Sequence, residues 1–446
     1  MSELGARHPP HEYQRFLQNL PNEWGRAELR TLGTVVGGGT PSRGVPSFWQ
    51  GNIPWVTPGE ISGNAGKFLY NTSQRISASG LAGSGANLLP VGSLLVTTRA
   101  TLGARVINAV PVATNQGFKS IVFKQAADSG FYFHLFQRMK SELVRRASGT
   151  TFLEISASEF ASIEVPVPDP DEKRLITSVI DTLDTAIHET EALIAKLKAV
   201  KQGLLHDLLT RGVDANGELR APQPEAPHLF KQSSLGWIPK KWTPTKLNEL
   251  VSADSPITYG VVQPGPEVEG GVPFVRGGDV YGGRILLEKL RTIGKRVSDS
   301  YRRTQLKGGE LLMSLVGYPG EVGLVPPELA GANIARQAAV IRLSDQTPAS
   351  YVMHYLLSRS GKLQVLGQSL GSAQQVVNLG DLRNVTIPMP DANEAAEIAR
   401  RVDAAQMHVH EELDNLSKMQ QLKAGLMDDL LTGRVRVTSL LEASTA

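Results

Sequence analysis

The chain writes one phrase twice: "GLLHDLLTRGV" at Gly203–Val213 and "GLMDDLLTGRV" at Gly425–Val435, 222 positions apart. A repeat of this length constrains the fold more than any other feature, because whatever one copy builds the other builds again. The match runs well upstream of the quoted words. Pro166, Pro168 and Asp169 align with Pro388, Pro390 and Asp391 at the same offset. So do Glu172 and Glu394, Ile176 and Ile398, Asp181 and Asp403, Lys196 and Lys418, and Lys201 and Lys423, without a gap. Further upstream the register drifts. "LPNEWGRAELRTL" (Leu20–Leu32) resembles "IPKKWTPTKLNEL" (Ile238–Leu250) with Trp24 and Trp242 in step, and "VGSLLVTTR" resembles "GGELLMSLV". The order is A–B–A′–B′, in which the A segments have changed length and the B segments have kept it.

The B segments read as long helices. Ile176, Ile180, Leu183, Ile187, Ile194, Leu197, Leu204 and Leu208 fall on alternating four- and three-residue steps, broken at Thr190 and Lys201. Ile398, Val402, Ala405, Val409, Leu416, Met419, Leu426 and Leu430 occupy the same slots, with the same breaks at Glu412 and Lys423. A 3.5-residue period held over several heptads is a coiled-coil seam. From Asp171 to Leu209 a continuous helix would run about 58 Å. Pro170 can open it, since the first helical N–H needs no partner, and Gly212 and Gly433 stand where a helix ends in glycine. A single apolar stripe needs a partner. The other copy supplies one if the two helices run antiparallel with a lobe at each end. Two unconnected helix–lobe modules are the alternative, and the matching polar breaks speak against it.

The 446 residues exceed one ordinary core, and 41% hydrophobic with 20% charged residues is a soluble globular composition. No apolar run approaches a membrane span, and "MSELGARHPPHEYQRF" lacks a signal core, so a cytoplasmic protein without membrane contact is expected. The absence of cysteine excludes disulfides, thiolate zinc sites and cysteine nucleophiles. Residues 13–169 carry 14 Lys and Arg against 9 Asp and Glu, and residues 231–391 carry 18 against 13. The helical segments reverse this, with 6 against 7 in 170–212 and 5 against 8 in 392–434. Two basic lobes on a neutral to acidic frame fit a polyanion ligand, although an excess of five on a lobe of this size is also ordinary.

The lobes read as α+β. Strand-like runs "SLLVTT", "ARVINAV" and "SIVFK" in the first lobe and "ELLMSLV" and "AAVIRL" in the second sit among glycines. Each is followed by a short helix, "FYFHLFQRMK" or "YVMHYLLSRSG". A curved, mixed or antiparallel sheet is expected in each lobe. Three loop types could face nucleic acid. "GGGTPSRG" (Gly37–Gly44) offers backbone approach, the hydroxyls of Thr40 and Ser42 and the fork of Arg43 to phosphate oxygens. "TTRATLG" (Thr97–Gly103) offers Arg99 and Thr101, opposite "SLVGYPG" (Ser314–Gly320) with Tyr318. Two lobes reading different bases would differ in this way, and so would two unconstrained surface loops. "ASGTTFLEIS" offers Thr150 and Thr151, opposite "LGSAQQVVNL" with Ser372, Gln374 and Gln375, whose amides suit adenine edges. Arg276 and Arg336 complete the candidate set. "NQ" at Asn115–Gln116 and "RQ" at Arg336–Gln337 can also be read as buried groups satisfying sheet backbone.

No catalytic signature appears. There is no Walker motif, complete G-x-G-x-x-G, H-E-x-x-H or G-x-S-x-G, no aromatic Pro-Pro loop of an adenine methylase, and the nine histidines lack ligand spacing. "PDPDEK" (Pro168–Lys173) reads as a helix start with acids at the positive end of the dipole. No catalytic residue, metal or cofactor is assigned. A self-sufficient nuclease or methylase is therefore disfavoured; a two-lobed coiled-coil scaffold for protein or glycan ligands is the alternative to nucleic-acid binding.

These motifs resemble the specificity subunit of bacterial type I restriction–modification systems. The resemblance rests on "GGGTPS", "GNIPWVTPGEIS", "IPKKW", "VPVPDPDEKRLI" with its copy "VTIPMPDANEAAEI", and above all the doubled "GLLHDLLTRGV"/"GLMDDLLTGRV". It implies two target recognition domains, 1–169 and 238–391, spacer helices over 170–212 and 392–434, a linker at 213–237 and a tail from 435. It further implies that each domain reads half of a bipartite site in double-stranded DNA. The helices would set the spacer and dock two methyltransferase subunits, which would carry S-adenosylmethionine, with motor/nuclease subunits joining the complex. Two departures stand out: "SPITYGVVQPG" replaces the "GGTPS" stretch in the second lobe, and Lys173 and Ala395, not glutamine, follow the helix-opening glutamates.

Overall fold

The computed structural model describes residues 11–62, 66–125, 127–149, 153–367 and 375–438. The chain forms two compact units. One comprises residues of Met1–Thr190 with Asn415–Ala446, and the other Glu191–Asp414. The boundaries cut through the two long helices, Pro170–Arg211 and Ala392–Leu431. Each unit is thus one lobe, half of the helix that follows it in sequence, and the opposite half of the other helix.

In the first unit a five-stranded sheet runs in the order Gly33–Gly37, Phe118–Phe123, Leu94–Thr97, Arg105–Asn108, Phe68–Leu69. The first four pair antiparallel and the last is parallel to its neighbour. A second sheet joins Arg75–Ile76, Ile53–Val56 and Ala113–Thr114. Gly25–Glu28 pairs with Glu164–Val167, just before the helix.

The second unit repeats this order. Thr258–Tyr259, Ala338–Ile341, Leu311–Ser314, Val322–Leu324 and Gly283–Ile285 form the same sheet with the same final parallel pair, extended by Val280–Tyr281. The three-stranded sheet recurs as Arg291–Ile293, Val272–Val275 and Asn333–Ile334, and the terminal pair as Thr243–Lys246 with Thr386–Met389. The repeat therefore extends through the lobes, where the sequence register drifts, because alternation and turn positions specify the sheet while loop length is free.

Three readings need correction. The helix expected in each lobe is two: Asp128–Leu135 and Lys140–Arg146, and Ala349–Leu357 and Arg359–Leu366. In the second pair the Ser358 hydroxyl caps a new helix by accepting from Gly361 N. The proline-rich stretch expected as linker carries a hairpin, Phe230–Ser233 with Gly236–Pro239, and buries Phe230 and Ile238. Asn115–Gln116 and Arg336–Gln337 are not buried sheet amides. Asn115 Oδ1 closes a turn by accepting from Gly117 N, and Gln116, Arg336 and Gln337 are exposed.

The long helices pack antiparallel within each unit. In the first, Ile176 and Ile180 share a core with Met427, Leu430 and Leu431, and Lys423 pairs with Asp184. In the second, Leu205 and Leu208 share a core with Ile398, Ala399 and Val402, and Lys201 donates to Gln406. Lys201 and Lys423 are repeat mates, as are Asp184 and Gln406, so the same register recurs with one partner changed. The slots that break the apolar run are where these polar contacts form. Along the seam Ile176, Ile180, Leu208, Ile398, Val402, Val409 and Leu430 are buried, while Leu183, Ile187, Leu197, Leu204, Leu416, Met419 and Leu426 are half-buried.

Each helix start is fastened to the segment following the other helix's end. Glu172 takes Arg436 at 2.7 and 3.0 Å and accepts from Trp24 Nε1 at 2.9 Å. Glu394 takes Arg220 on both oxygens, 2.5 and 2.9 Å, and accepts from Val213 N at 3.0 Å. The two-pronged geometry suits arginine and leaves little of either carboxylate unpaired. Both glutamates are buried.

Candidate nucleic-acid interface

The turn Thr97–Gly103 follows the central strand of the first lobe and is sharp, with Ala100 at φ 62° and Gly103 at φ 85°. It is tied to the segment around Glu154: Ala100 N donates to Leu153 O, and Ile155 N to Thr98 O. Arg99 Nε lies 3.6 Å from Glu154 Oε2, and Lys119 Nζ lies 3.6 Å from Oε1. The second and third candidate loops of this lobe thus lie side by side. The same holds in the second lobe, where Val377 N donates to Leu315 O at 3.1 Å and Leu315 N to Gln337 O at 2.8 Å. Two loops far apart in sequence therefore form one surface in each unit.

The candidates on this surface differ between units. Thr101 is exposed and Arg99 half-exposed, sharing one carboxylate with Lys119. Tyr318, 51% exposed, pairs with Tyr281, 52% exposed, at 5.4 Å between ring centres. Arg336 is exposed and Gln375 half-buried. Thr150, Thr151, Ser372 and Gln374 lie outside the described residues. Arg276 holds Asp279 through Nε and Nη2 at 3.0 and 2.8 Å, so its fork is already engaged. Hydrogen bonding to Asp279 raises its pKa further.

The first loop type is built differently from the expectation. Thr40, Ser42 and Arg43 are exposed, but the Arg43 guanidinium sits over Trp49, 3.6 Å from the ring centre, and donates to Gln74 at 2.7 Å. Thr40 donates to Gln116. The glycines serve the protein's own packing: a Cβ on Gly38 would fall 2.0 Å from Asn115 O. Gly260, at the equivalent place in the second lobe, would fall 1.9 Å from Ile334 O. The second lobe thus keeps the structural glycine of the "GGTPS" stretch without its hydroxyls.

Sequence reasoning missed several groups. Tyr281 sits in an unremarkable context and joins Tyr318 only through the sheet. Glu154, the partner of Arg99, lies 55 positions away. The exposed cations Lys295, Arg296, Arg302, Arg303 and Lys307 have no ion pair among the described residues. The density of basic residues in "GKRVSDSYRRTQLKGG" was the signal available for them.

Where lobe meets helix, a buried histidine reaches an aspartate in each unit. His134 Nε2 is 2.7 Å from Asp181, and His354 Nε2 is 2.7 Å from Asp403, the repeat mate of Asp181. Burial pushes His134 below its ordinary pKa, opposed by its bond to Asp181. Burial also opposes ionisation of Asp181, but bonds from His134 and Lys67 hold its carboxyl below the usual range. His134, Asp181 and Asp184 have the mutual spacing of a metal group. However, Lys67 Nζ bonds both oxygens of Asp181, at 2.8 and 2.6 Å, and Lys423 pairs with Asp184. Both carboxylates are thus already paired with ammonium groups, which compete with an ion for them. Among the described residues no helix is long and apolar enough to cross a membrane.

Comparison with known proteins agrees with this doubled arrangement. The family described as "Type I restriction modification DNA specificity domain" matches the chain twice, over residues 21–199 and 239–416. The chain is 24% identical over 433 residues to the type I restriction enzyme MjaIX specificity subunit of Methanocaldococcus jannaschii, covering 94% of this chain and 95% of that one. It is 27% identical over 316 residues to the EcoBI specificity subunit of Escherichia coli, covering 70% of this chain and 66% of the relative. Its fold is similar to a crystal structure of the type I restriction–modification S subunit from M. genitalium, with a TM-score of 0.58, 13% identity, and 92% and 96% of the two chains covered. With both halves matched and the fold shared along nearly its whole length, the chain belongs to the family of type I restriction–modification specificity subunits.

Proposed function

We propose that each unit reads one half of a bipartite site in double-stranded DNA and that the chain performs no chemistry itself. The observation that carries this reading is one sheet topology built twice, presenting different side chains at the turn after the central strand: Arg99 and Thr101 in one unit, Tyr318 with Tyr281 in the other. A shared scaffold with divergent tips suits two half-sites of different sequence. Unpaired lysines and arginines would hold phosphates and supply most of the affinity, and groups at base edges would supply the choice.

The long helices would set the spacer and dock two DNA-adenine methyltransferase subunits, which would carry S-adenosylmethionine. Motor/nuclease subunits would join that complex. The seam residues that are buried, such as Ile176, Ile180, Ile398 and Val402, are ill placed for docking, whereas half-buried ones such as Leu197 and Met419 keep some surface for it. Val200 and Leu422 are repeat mates, 58% and 53% exposed, and suit a partner that binds twice in the same way. Methylome sequencing of the host with and without this gene tests the reading. One bipartite adenine motif should vanish with the gene, and an unchanged methylome would reject it.

A further inference from the structure

The two units differ at one joint. In the first, Asp184 on the long helix answers Lys423 and faces Arg105, whose pKa burial lowers to about 10 against the opposing pull of Asp184. In the second, the repeat mate of Asp184 is Gln406, a neutral amide. Lys201, the mate of Lys423, donates to Gln406 and has no carboxylate partner among the described residues. The lysine has stayed while the anion has gone, and the place of Arg105 in the sheet is taken by Val322.

The space beside Gln406 is a half-open cavity of about 280 Å³. Lys198, Lys201, Arg284 and Lys362 line it. The acid on its wall, Glu321, is fully engaged: Lys362 Nζ sits 2.5 Å from Oε1, and Gly282 N donates to Oε2 at 2.9 Å. Arg284 has Asp414 at 3.4 Å. His410 lies 2.6 Å from Gln406 Nε2 and 3.0 Å from the Gly282 carbonyl, and burial pushes its pKa down, so it adds no charge at neutral pH. Lys198 and Lys201 lie three positions apart on one helix face; Lys198 is exposed, and half-buried Lys201 is acted on by Glu321, which Lys362 already holds, so the four cations share only two carboxylates, Glu321 and Asp414. The rest of the wall is mixed, with Leu286, Leu357, Val409 and Leu413 beside Gln202 and Tyr281.

We propose that this cavity binds a phosphate group, which supplies beside Lys201 the negative charge that Asp184 supplies in the first unit. Several lysines and an arginine converging on one polar space suit a multiply charged tetrahedral oxyanion. The phosphate could belong to a small free compound or to a DNA backbone, and the inference does not depend on how the lobes read DNA.

The test titrates the full chain with sodium pyrophosphate at low ionic strength, following binding by calorimetry and thermal unfolding. The wild type should bind saturably and gain thermal stability. Gln406→Asp restores the carboxylate of the first unit, and should fold at least as well yet lose tenfold or more in pyrophosphate affinity. If duplex DNA displaces pyrophosphate and Gln406→Asp lowers the salt slope of DNA binding by about 1, the phosphate is a backbone one. If pyrophosphate binds DNA-loaded protein unchanged, it is a free compound. Equal binding by wild type and Gln406→Asp, or no binding by wild type, overturns the proposal.

Discussion

Single residues close each joint. Gly212 and Gly433 end the two long helices at φ 64° and 69°, a region that side chains with a Cβ rarely adopt. A Cβ on Gly212 would fall 2.2 Å from Glu394 and 2.6 Å from Trp242; one on Gly433 would fall 2.4 Å from Pro21. Gly212→Ala should therefore cost about 1–3 kcal/mol, read as a lower urea midpoint at constant m-value. A midpoint within error of wild type would show that the joint can relax. Glu172→Ala strips the hydrogen-bond partner from buried Trp24 and one of two carboxylates from Arg436, which keeps Glu23, and should cost about 1–3 kcal/mol, read as a lower urea midpoint. His134 argues for a pH dependence. Its folded pKa is depressed by burial, so the unfolded chain takes up the proton first, near about pH 6.5. That contribution is complete above this pH and is lost as pH falls below it. Asp181 and Asp403 add a second loss as pH falls through the carboxylate range, because hydrogen bonds hold both below their ordinary values against burial. Denaturation midpoints at pH 7 and 5 should differ less in His134→Gln than in wild type; an equal difference would assign the effect elsewhere.

At the scale of elements, the helices have two separate apolar surfaces. One is the seam that the heptad spacing revealed, consumed by the antiparallel pair and by the lobe beneath it. The other consists of isolated exposed residues, Val200 and Leu422 foremost, which the seam periodicity does not include. A charge at such a surface position costs little in the free chain but much against a partner. Val200→Asp and Leu422→Asp should each leave the thermal midpoint within about 2 °C of wild type and remove one methyltransferase subunit from the assembled complex, read as mass by light scattering. Retention of both subunits would place the docking face elsewhere.

At the scale of the molecule, the chain crosses from one unit to the other within each long helix and nowhere else. Lengthening both crossings together preserves the seam if the insert is a whole heptad. The register of the Asp184–Lys423 and Lys201–Gln406 pairs matches the bond after Thr190 with the bond after Leu416. Seven residues at both places add about 10.5 Å of helix, or about three base pairs of DNA. The preferred spacer should lengthen by that amount while both half-sites stay the same, read by methylome sequencing; an unchanged spacer would reject the helices as a ruler. Arg99→Ala should weaken binding at one base pair by about 1–3 kcal/mol. Uniform weakening across sequences would make Arg99 a phosphate anchor.

The doubled architecture, the paired helices and their polar breaks were legible from residues alone, because an apolar period and an ungapped repeat leave few ways to bury the stripe. The lobes were legible only as α+β. Their strands are short, and the order of a mixed sheet is set by contacts between segments far apart in sequence. The same distance hid the surface chemistry. Arg99 meets Glu154, Tyr318 meets Tyr281, and Arg43 rests on Trp49 through tertiary packing, so residue type could suggest a ligand contact but could not tell which groups the fold had already engaged. The exchange of Asp184 for Gln406 could be read in the aligned repeats; that it leaves lysines facing a cavity was decided by the packing of a lobe against its helices.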